Sequence, residues 1–483
     1  MKPRLFAPLI FTIILGNLST GYATEAAPGT TASSAPAQHE EAYRQFCQAL
    51  KQQADAQTRD MAPAALIALN ATNDEFCLDA WMARAAAEGE PVALWYQGIQ
   101  MIGNVLPQQK QAAHVRKGVA LCKKSADKNF VPAMLDYATF LIHGIGVQRN
   151  PQLGQNMIVN ACKSGNFEAR FYWLSENKKL STIEDLQRKE VQSEIQRGNH
   201  DILFNLNNKC TSSEAAADMI LQAAHMGNDK AMYNLFTLLR AADTKAAAQF
   251  LLQSAERHNP MALSALAHHY YAPQPAMETA LQTGRHEETA LKLFRLASML
   301  GDLRAHYSLA AMYYHGLCGA EQNDHKAYQH LETAQQLRPA DAAIRAAKGY
   351  MLLSGKGVQA NPQQGFEEIS KASRQNDAIA RVIHAYVLYR GVGGIAQDTK
   401  TARDYLENLA TYGNSVCFIF LSLMHEEGAA DFAPGKQKAA YYLEHGIRSL
   451  GTYGQELYNF HKNSGKGWQL NPFDFSELPP TTP

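Results

Sequence analysis

The chain is 483 residues long, 46% apolar and 19% charged, a balance that can bury a core and excludes wholesale disorder. Lys plus Arg and Asp plus Glu stand at 45 each, so no global basic field recruits nucleic acid and no global acidic field recruits a cationic partner. The length fits about three average domains or one array of small units.

Met1, Lys2 and Arg4 make a short positive start, residues 5–15 are apolar apart from Pro8 and Thr12, and small residues follow at Gly21 and Ala23. This is the pattern of a secretory signal peptide over residues 1–23. The apolar run is about half of the roughly 20 residues that a membrane-spanning helix needs. No Cys stands near the expected cleavage point, which argues against a lipoprotein anchor. The mature chain is therefore expected to be exported, to a bacterial periplasm or to the exterior, with no transmembrane span. Residues 24–38, mostly Ala, Thr, Ser, Pro and Gly, read as a disordered linker. Residues 39–80 read as an N-terminal helical cap, with apolar stripes over 43–57 and 63–69.

Self-similarity dominates residues 81–450. A small or apolar anchor recurs at Ala93, Ala133, Ala169, Ile202, Ala231, Ala262, Ala305, Ile344, Ala380 and Cys417, spaced 36 residues apart on average, in steps of 29 to 43. In the copy that starts at Ala305, Leu309, Ala310 and Tyr313 complete one stripe of a 3.6-residue helix, here called helix A. Gly144, Gly316, Gly355, Gly391 and Gly428 stand where that helix should end, and in the better copies a second Gly follows two residues on. A loop carrying Asn150-Pro151, Asn361-Pro362 or Asp398 leads to helix B, which closes on Ala161, Ala255, Ala297 or Ala410. No such hairpin buries its apolar face alone, so neighbours must stack. The expected fold is all-α, a right-handed superhelical α/α solenoid of about ten helix-turn-helix repeats. Residues 451–483, which end Leu478-Pro-Pro-Thr-Thr-Pro483, read as an extended tail.

Seven cysteines lie beyond residue 23, an odd number, so in an oxidising compartment one at least stays free or cross-links elsewhere. Cys47 with Cys77 and Cys122 with Cys162 are the first pairings to test, since each would join neighbouring helices. Burial as small hydrophobes is the competing reading.

The anchor, the Leu309-Ala310 and Leu266-Ala267 pairs, Tyr270, Tyr313, and the Gly144-Ile-Gly-Val147, Gly355-Lys-Gly-Val358 and Gly391-Val-Gly393 segments together resemble the Sel-one-like repeat family, a branch of the tetratricopeptide superfamily. The resemblance covers about three quarters of the chain. The units around Ala169, Ile202 and Ala231 lack the double Gly, and Asn129, Ala340 and Asn376 replace the Gly between repeats. The family implies an adaptor or scaffold that binds a protein or peptide on the face built from the A helices, with no catalysis. By tetratricopeptide analogy the facing side chains are Ser264, His268 and Tyr271, then Tyr307, Tyr314 and His315, then Tyr350, then Tyr386, Tyr389 and Arg390. Aromatic residues and Arg bring large area with few rotors, as binding hot spots do. A Tyr on helix A serves equally well as packing between repeats. In the first half the equivalent positions are Trp95, Ile99 and Leu135, more apolar and expected to be partly covered.

The alternative is enzymatic, because some cysteine-rich relatives resemble proteins credited with penicillin binding. Ser125-Ala-Asp-Lys128 and Ser175-Glu-Asn-Lys178 match Ser-x-x-Lys, but the companion Lys-Thr-Gly is missing from the sequence. His268-His269 point about 100° apart on a helix and do not suit one metal ion. Gly465-Lys466-Gly467 lacks the rest of a phosphate loop, and no cofactor motif is recognisable.

Overall fold

The computed structural model describes residues 34–103, 110–178, 189–207, 213–273, 275–282, 284–428, 436–463 and 470. The expected signal peptide, Cys210 and, apart from Leu470, the tail beyond Asn463 lie outside them. The described elements are helical, without a strand among the described residues.

Three helices come first: α1 (Ser34–Ala56), α2 (Ala62–Thr72) and α3 (Cys77–Ala87). Hairpins of a helix A and a helix B follow. They pair α4 (Pro91–Ile102) with α5 (Ala113–Ala126), α6 (Val131–His143) with α7 (Pro151–Lys163), and α8 (Phe167–Lys178) with α9 (Lys189–Gln196). Next come α10 (Asp201–Asn207) with α11 (Ser213–His225), and α12 (Asp229–Leu239) with α13 (Thr244–Glu256). Helix α14 (Pro260–Tyr271) reaches its partner α16 (Glu287–Met299) through the short α15 (Pro275–Leu281). The remaining hairpins are α17 (Leu303–His315) with α18 (Asp324–Leu337), α19 (Ala342–Ser354) with α20 (Pro362–Ser373), α21 (Ala378–Arg390) with α22 (Thr399–Thr411), and α23 (Val416–Glu427) with α24 (Lys436–Leu450). Helix α25 (Thr452–Asn463) closes the series. The chain divides into two compact units, Met1–Ala305 and His306–Pro483, with the division inside α17.

All ten anchors sit at the second or third residue of an A helix, and all are buried, nine of them completely. The local cause is a cap. Three residues before the anchor, an Asn or Asp side chain accepts the anchor's own N–H: Asn166 for Ala169, Asn228 for Ala231, Asn259 for Ala262, Asp302 for Ala305, Asp341 for Ile344 and Asp377 for Ala380, at 2.8 to 3.1 Å. Each satisfies a donor that the first helical turn leaves open. The register of the repeat is thus set by an acceptor as well as by the small residue behind it.

The two glycines of the double-Gly segment do different work. Gly355 takes φ +72 and ends α19, its N–H bonded to the Met351 carbonyl. At Gly357 an added Cβ would lie 2.0 Å from the Asp324 carbonyl oxygen at the start of α18, so this residue is bare because the preceding repeat is pressed against it. Where the Gly between repeats is replaced, Asn129 and Asn376 take φ +62 and +63, the left-handed region that Asn tolerates best among side chains with a Cβ. The middle copies that lack the double Gly pack through larger residues: Leu174, Val191, Ile202, Met219 and Met232 belong to one core cluster.

Three expectations are corrected. Helix α1 starts at Ser34, within the stretch read as linker; Pro36 falls in its first turn, where no N–H is needed. The cap has three helices and reaches Ala87, past residue 80. At the other end, residues 452–463 form α25, because Leu457 and Tyr458 bury their side chains at 7% and 5% exposure. The expected disulfides are also not formed. Cys47, Cys77, Cys122 and Cys162 are free thiols, as is Cys417. Cys122 lies against the Trp95 carbonyl oxygen at 4.0 Å, whereas Cys162 donates to the Ala169 carbonyl at 3.3 Å, so each thiol faces a different neighbouring helix A.

Candidate functional site

In the first unit the A-helix face is covered by the chain itself. Gln57, at the end of α1, accepts the Val131 N–H through its side chain at 2.6 Å, and its carbonyl accepts from Asn166 at 2.9 Å. Two residues on, Arg59 meets Asp136 at 2.8 Å and Glu168 at 2.9 Å. Its guanidinium carbon lies 5.3 Å from the Trp95 ring centroid, and the Trp95 indole N–H donates to Asp136 at 2.8 Å. The two carboxylates hold the Arg59 guanidinium above its ordinary pKa, against its burial. Trp95 and Leu135, named from the sequence as the positions facing a ligand, are 7% and 2% exposed. Tyr271 also belongs to this unit; it is half-buried, with the Arg285 guanidinium carbon 5.9 Å from its ring.

Seven of the named positions lie in the second unit, on three successive A helices. Tyr307 and Tyr314 are two turns apart on one face of α17, Tyr307 half-buried, Tyr314 buried and His315 exposed. Lys356, in the loop after α19, donates to the Tyr314 hydroxyl and stands 4.2 Å from that ring's centroid. Burial pulls the Lys356 ammonium below its ordinary pKa, against the pull of Asp324. On α19, Tyr350 meets Tyr386 of α21 edge to face, with ring centroids 6.2 Å apart. One turn on from Tyr386, the Tyr389 hydroxyl donates to Glu427 of α23 at 2.7 Å, and Arg390 grips both oxygens of the same carboxylate at 2.7 and 2.8 Å. The ladder continues through Glu426, which accepts from Tyr458 of α25 and lies 3.4 Å from Lys462.

These contacts divide the roles that residue type alone leaves mixed. Tyr314, Tyr350, Tyr386 and Tyr389 are 4 to 7% exposed, so most of each ring packs within the array. Burial raises the phenols of Tyr350 and Tyr389, the latter helped by Glu427, so both stay protonated at neutral pH. His315, Arg390 and Tyr307 keep accessible surface. The structure brings Tyr350, Tyr386, Tyr389 and Arg390 into one connected group and adds two partners that the repeat offsets did not mark, Lys356 and Glu427. Lys356 was visible in the sequence only as the middle residue of Gly355-Lys-Gly357.

Ser125 has a structural occupation. Its side chain is fully buried, and its hydroxyl donates to the Pro91 carbonyl at 2.6 Å, hooking the end of α5 to the start of α4. Ser254 makes the equivalent bond to Asp229 at 2.7 Å. A hydroxyl placed in this way links two helices. Ser175 lies in α8, and its side chain is outside the described residues. A cavity of about 710 Å³ between α7, α8 and α9 was not foreseen; Trp173 and Leu174 line it, and so does Glu194, which binds Arg170 at 3.1 Å and Arg197 at 2.6 Å. Among the described residues no helix is long and apolar enough to cross a membrane.

Comparison with known proteins places this arrangement. The Sel1 repeat model matches residues 131–166, 284–302, 303–334, 340–377 and 378–411. Two of the similar solved structures illustrate the likeness. One is a protective antigen present in uropathogenic Escherichia coli strains and displaying an SLR fold: 19% identity over 88% of this chain and 98% of that one, TM-score 0.42. The other is a Sel1 repeat protein from Oxalobacter formigenes: 20% identity over 70% of this chain and 87% of that one, TM-score 0.33. No curated protein matches the chain.

Proposed function

Since this chain is a Sel1-repeat protein, we propose that it is an exported adaptor that holds a protein or peptide segment against the A helices of its second unit. Repeats of this kind serve as scaffolds for protein interaction, and the finer reading rests on one observation. Tyr314 with Lys356, Tyr350 with Tyr386, and Tyr389 with Arg390 and Glu427 are contacts between successive repeats that together involve α17, α19, α21 and α23. They offer ring edges, hydroxyls and fixed charges, the groups that hold a peptide backbone and its side chains. Tyr307, His315 and Arg390 are the accessible residues, the buried tyrosines hold them in place, and Tyr271 is the corresponding position in the first unit. Export is supported by the apolar stretch over residues 5–15.

The test is crosslinking in the native envelope followed by affinity recovery. The parent chain is compared with a variant carrying Tyr307→Ala, His315→Ala and Arg390→Gln. Recovery of the same partner by both, with unchanged helical circular dichroism, would remove this surface from consideration. The mass of the mature N-terminus and its cell fraction test export separately.

A further inference from the structure

The cavity between α7, α8 and α9 stands at a break in the core of the first unit. Ile158, Ala161 and Ala169 belong to one apolar cluster, and Leu174, Val191 and Ile202 belong to another. Trp173, half-buried, packs against both. The cavity's volume of about 710 Å³ falls within the roughly 300–1,000 Å³ typical of small-molecule sites. Its walls are apolar at Val159, Trp173 and Leu174, and Val159, 43% exposed, marks the side open to solvent. The polar lining is cationic. Arg170 and Arg197 reach the same carboxylate, that of Glu194, at 3.1 and 2.6 Å, and Glu194 is 7% exposed. A guanidinium carries five N–H donors, so one carboxylate cannot occupy two of them. Lys189 lines the cavity too, and it makes no ion pair among the described residues. Three cations therefore stand against one carboxylate.

We infer that this cavity binds a free amphiphilic monoanion, an organic acid whose apolar body lies against Trp173, Leu174 and Val159 and whose carboxylate or sulfonate head lies among Arg170, Lys189 and Arg197. The apolar walls withdraw the body from water, and the cations give the head charge-assisted bonds that a neutral molecule of the same shape cannot make. Glu194 holds Arg170 and Arg197 in place before the ligand arrives, which lowers the cost of ordering them. Walls built from three helices take a small molecule and not a folded partner or a membrane surface. The site lies in the first unit and so goes beyond the adaptor surface of the second.

The probe is 11-(dansylamino)undecanoic acid, titrated into the full chain and followed by dansyl emission, with its methyl ester as the neutral counterpart. The acid should saturate and bind at least about 10-fold tighter than the ester. Lys189→Gln combined with Arg197→Gln, both at exposed positions, should remove most of that preference and leave the ester nearly unchanged. Val159→Glu, which sets a carboxylate on the solvent side of the apolar wall, should weaken the acid about 10-fold or more. Val159→Gln takes its place if Val159→Glu disturbs the helical circular dichroism. No saturable binding, equal affinity for acid and ester, or binding of the acid indifferent to either the cation pair or Val159 overturns the inference.

Discussion

Gly349 of α19 and Gly365 of α20 meet face to face, so closely that a Cβ added at Gly365 would lie 2.6 Å from the Gly349 carbonyl oxygen, and one at Gly349 would lie 2.9 Å from that of Gly365. The same crossing recurs between Gly98 and Gly118, at 2.7 and 2.6 Å. In α7, Gly154 lies equally close to the Ala138 carbonyl of α6, at 2.7 Å. Within a hairpin the two helices touch backbone to backbone, and the alanines serve the packing around that contact. Gly365→Ala gains helix propensity worth up to about 1 kcal/mol, but its methyl meets a carbonyl that cannot move aside. The net result should be a loss of about 1–3 kcal/mol. Urea unfolding checks it, with the exposed Gln363→Ala expected to stay within about 0.5 kcal/mol of the parent.

Arg295 and Glu75 form the most deeply buried ion pair among the described residues, 9% and 1% exposed, at 3.2 Å. Arg295 also donates to Asn73 at 2.7 Å, tying α16 to the end of α2 within the first unit. Removing one partner leaves the other charge desolvated, so Arg295→Met should cost about 3–5 kcal/mol. Pairing it with Glu75→Leu should restore much of that. Hydrogen exchange of α2 and α16 reports the local effect, and a double variant no better than the single one would contradict the pairing.

Acid should destabilise the second unit through His384, which is 7% exposed and sits 2.8 Å from the Ser373 hydroxyl. Burial first, and the charge of Arg374 second, lower its pKa from 6.5 to about 4. Between those values the unfolded chain binds a proton that the folded chain refuses. The contribution of His384 is therefore full above about pH 6.5 and is lost as pH falls to about 4, on the order of 3 kcal/mol at most. His268 in the first unit, lowered to about 4 chiefly by burial, acts in the same direction. The urea midpoint should fall between pH 7 and pH 5, and His384→Gln should flatten that slope.

The thiols should be unreactive in the native chain. Burial pushes Cys122 up to about 12 and raises Cys417 further still, so almost no thiolate is present at neutral pH. Mass spectrometry of the non-reduced protein should show no bridge between Cys47 and Cys77 or between Cys122 and Cys162. Iodoacetamide at pH 8 should alkylate Cys122 and Cys417 only after denaturation.

The repeat was legible without coordinates because its determinants are local. An anchor such as Ala305, the stripe through Tyr313 and the left-handed Gly316 all fall within one helix length, where 3.6-residue periodicity and backbone sterics leave few options. The capping Asn or Asp three residues before the anchor was equally local and went unread, although it recurs in six repeats. The glycine crossings were half legible: Gly349 and Gly365 stand out as helix breakers placed inside helices, but which carbonyl each one approaches depends on how two helices cross.

What covers the A-helix faces was decided by tertiary structure alone. Arg59 meets Asp136 across 77 positions, and Asn166 meets Gln57 across 109. Neither contact has a period, a cap or a turn to announce it, because side chains that far apart become neighbours only once the intervening helices have stacked. The sequence thus determined which residues face inward from each helix. Whether an inward-facing tyrosine packs, donates or receives a partner was settled by which distant segment the finished array brings beside it.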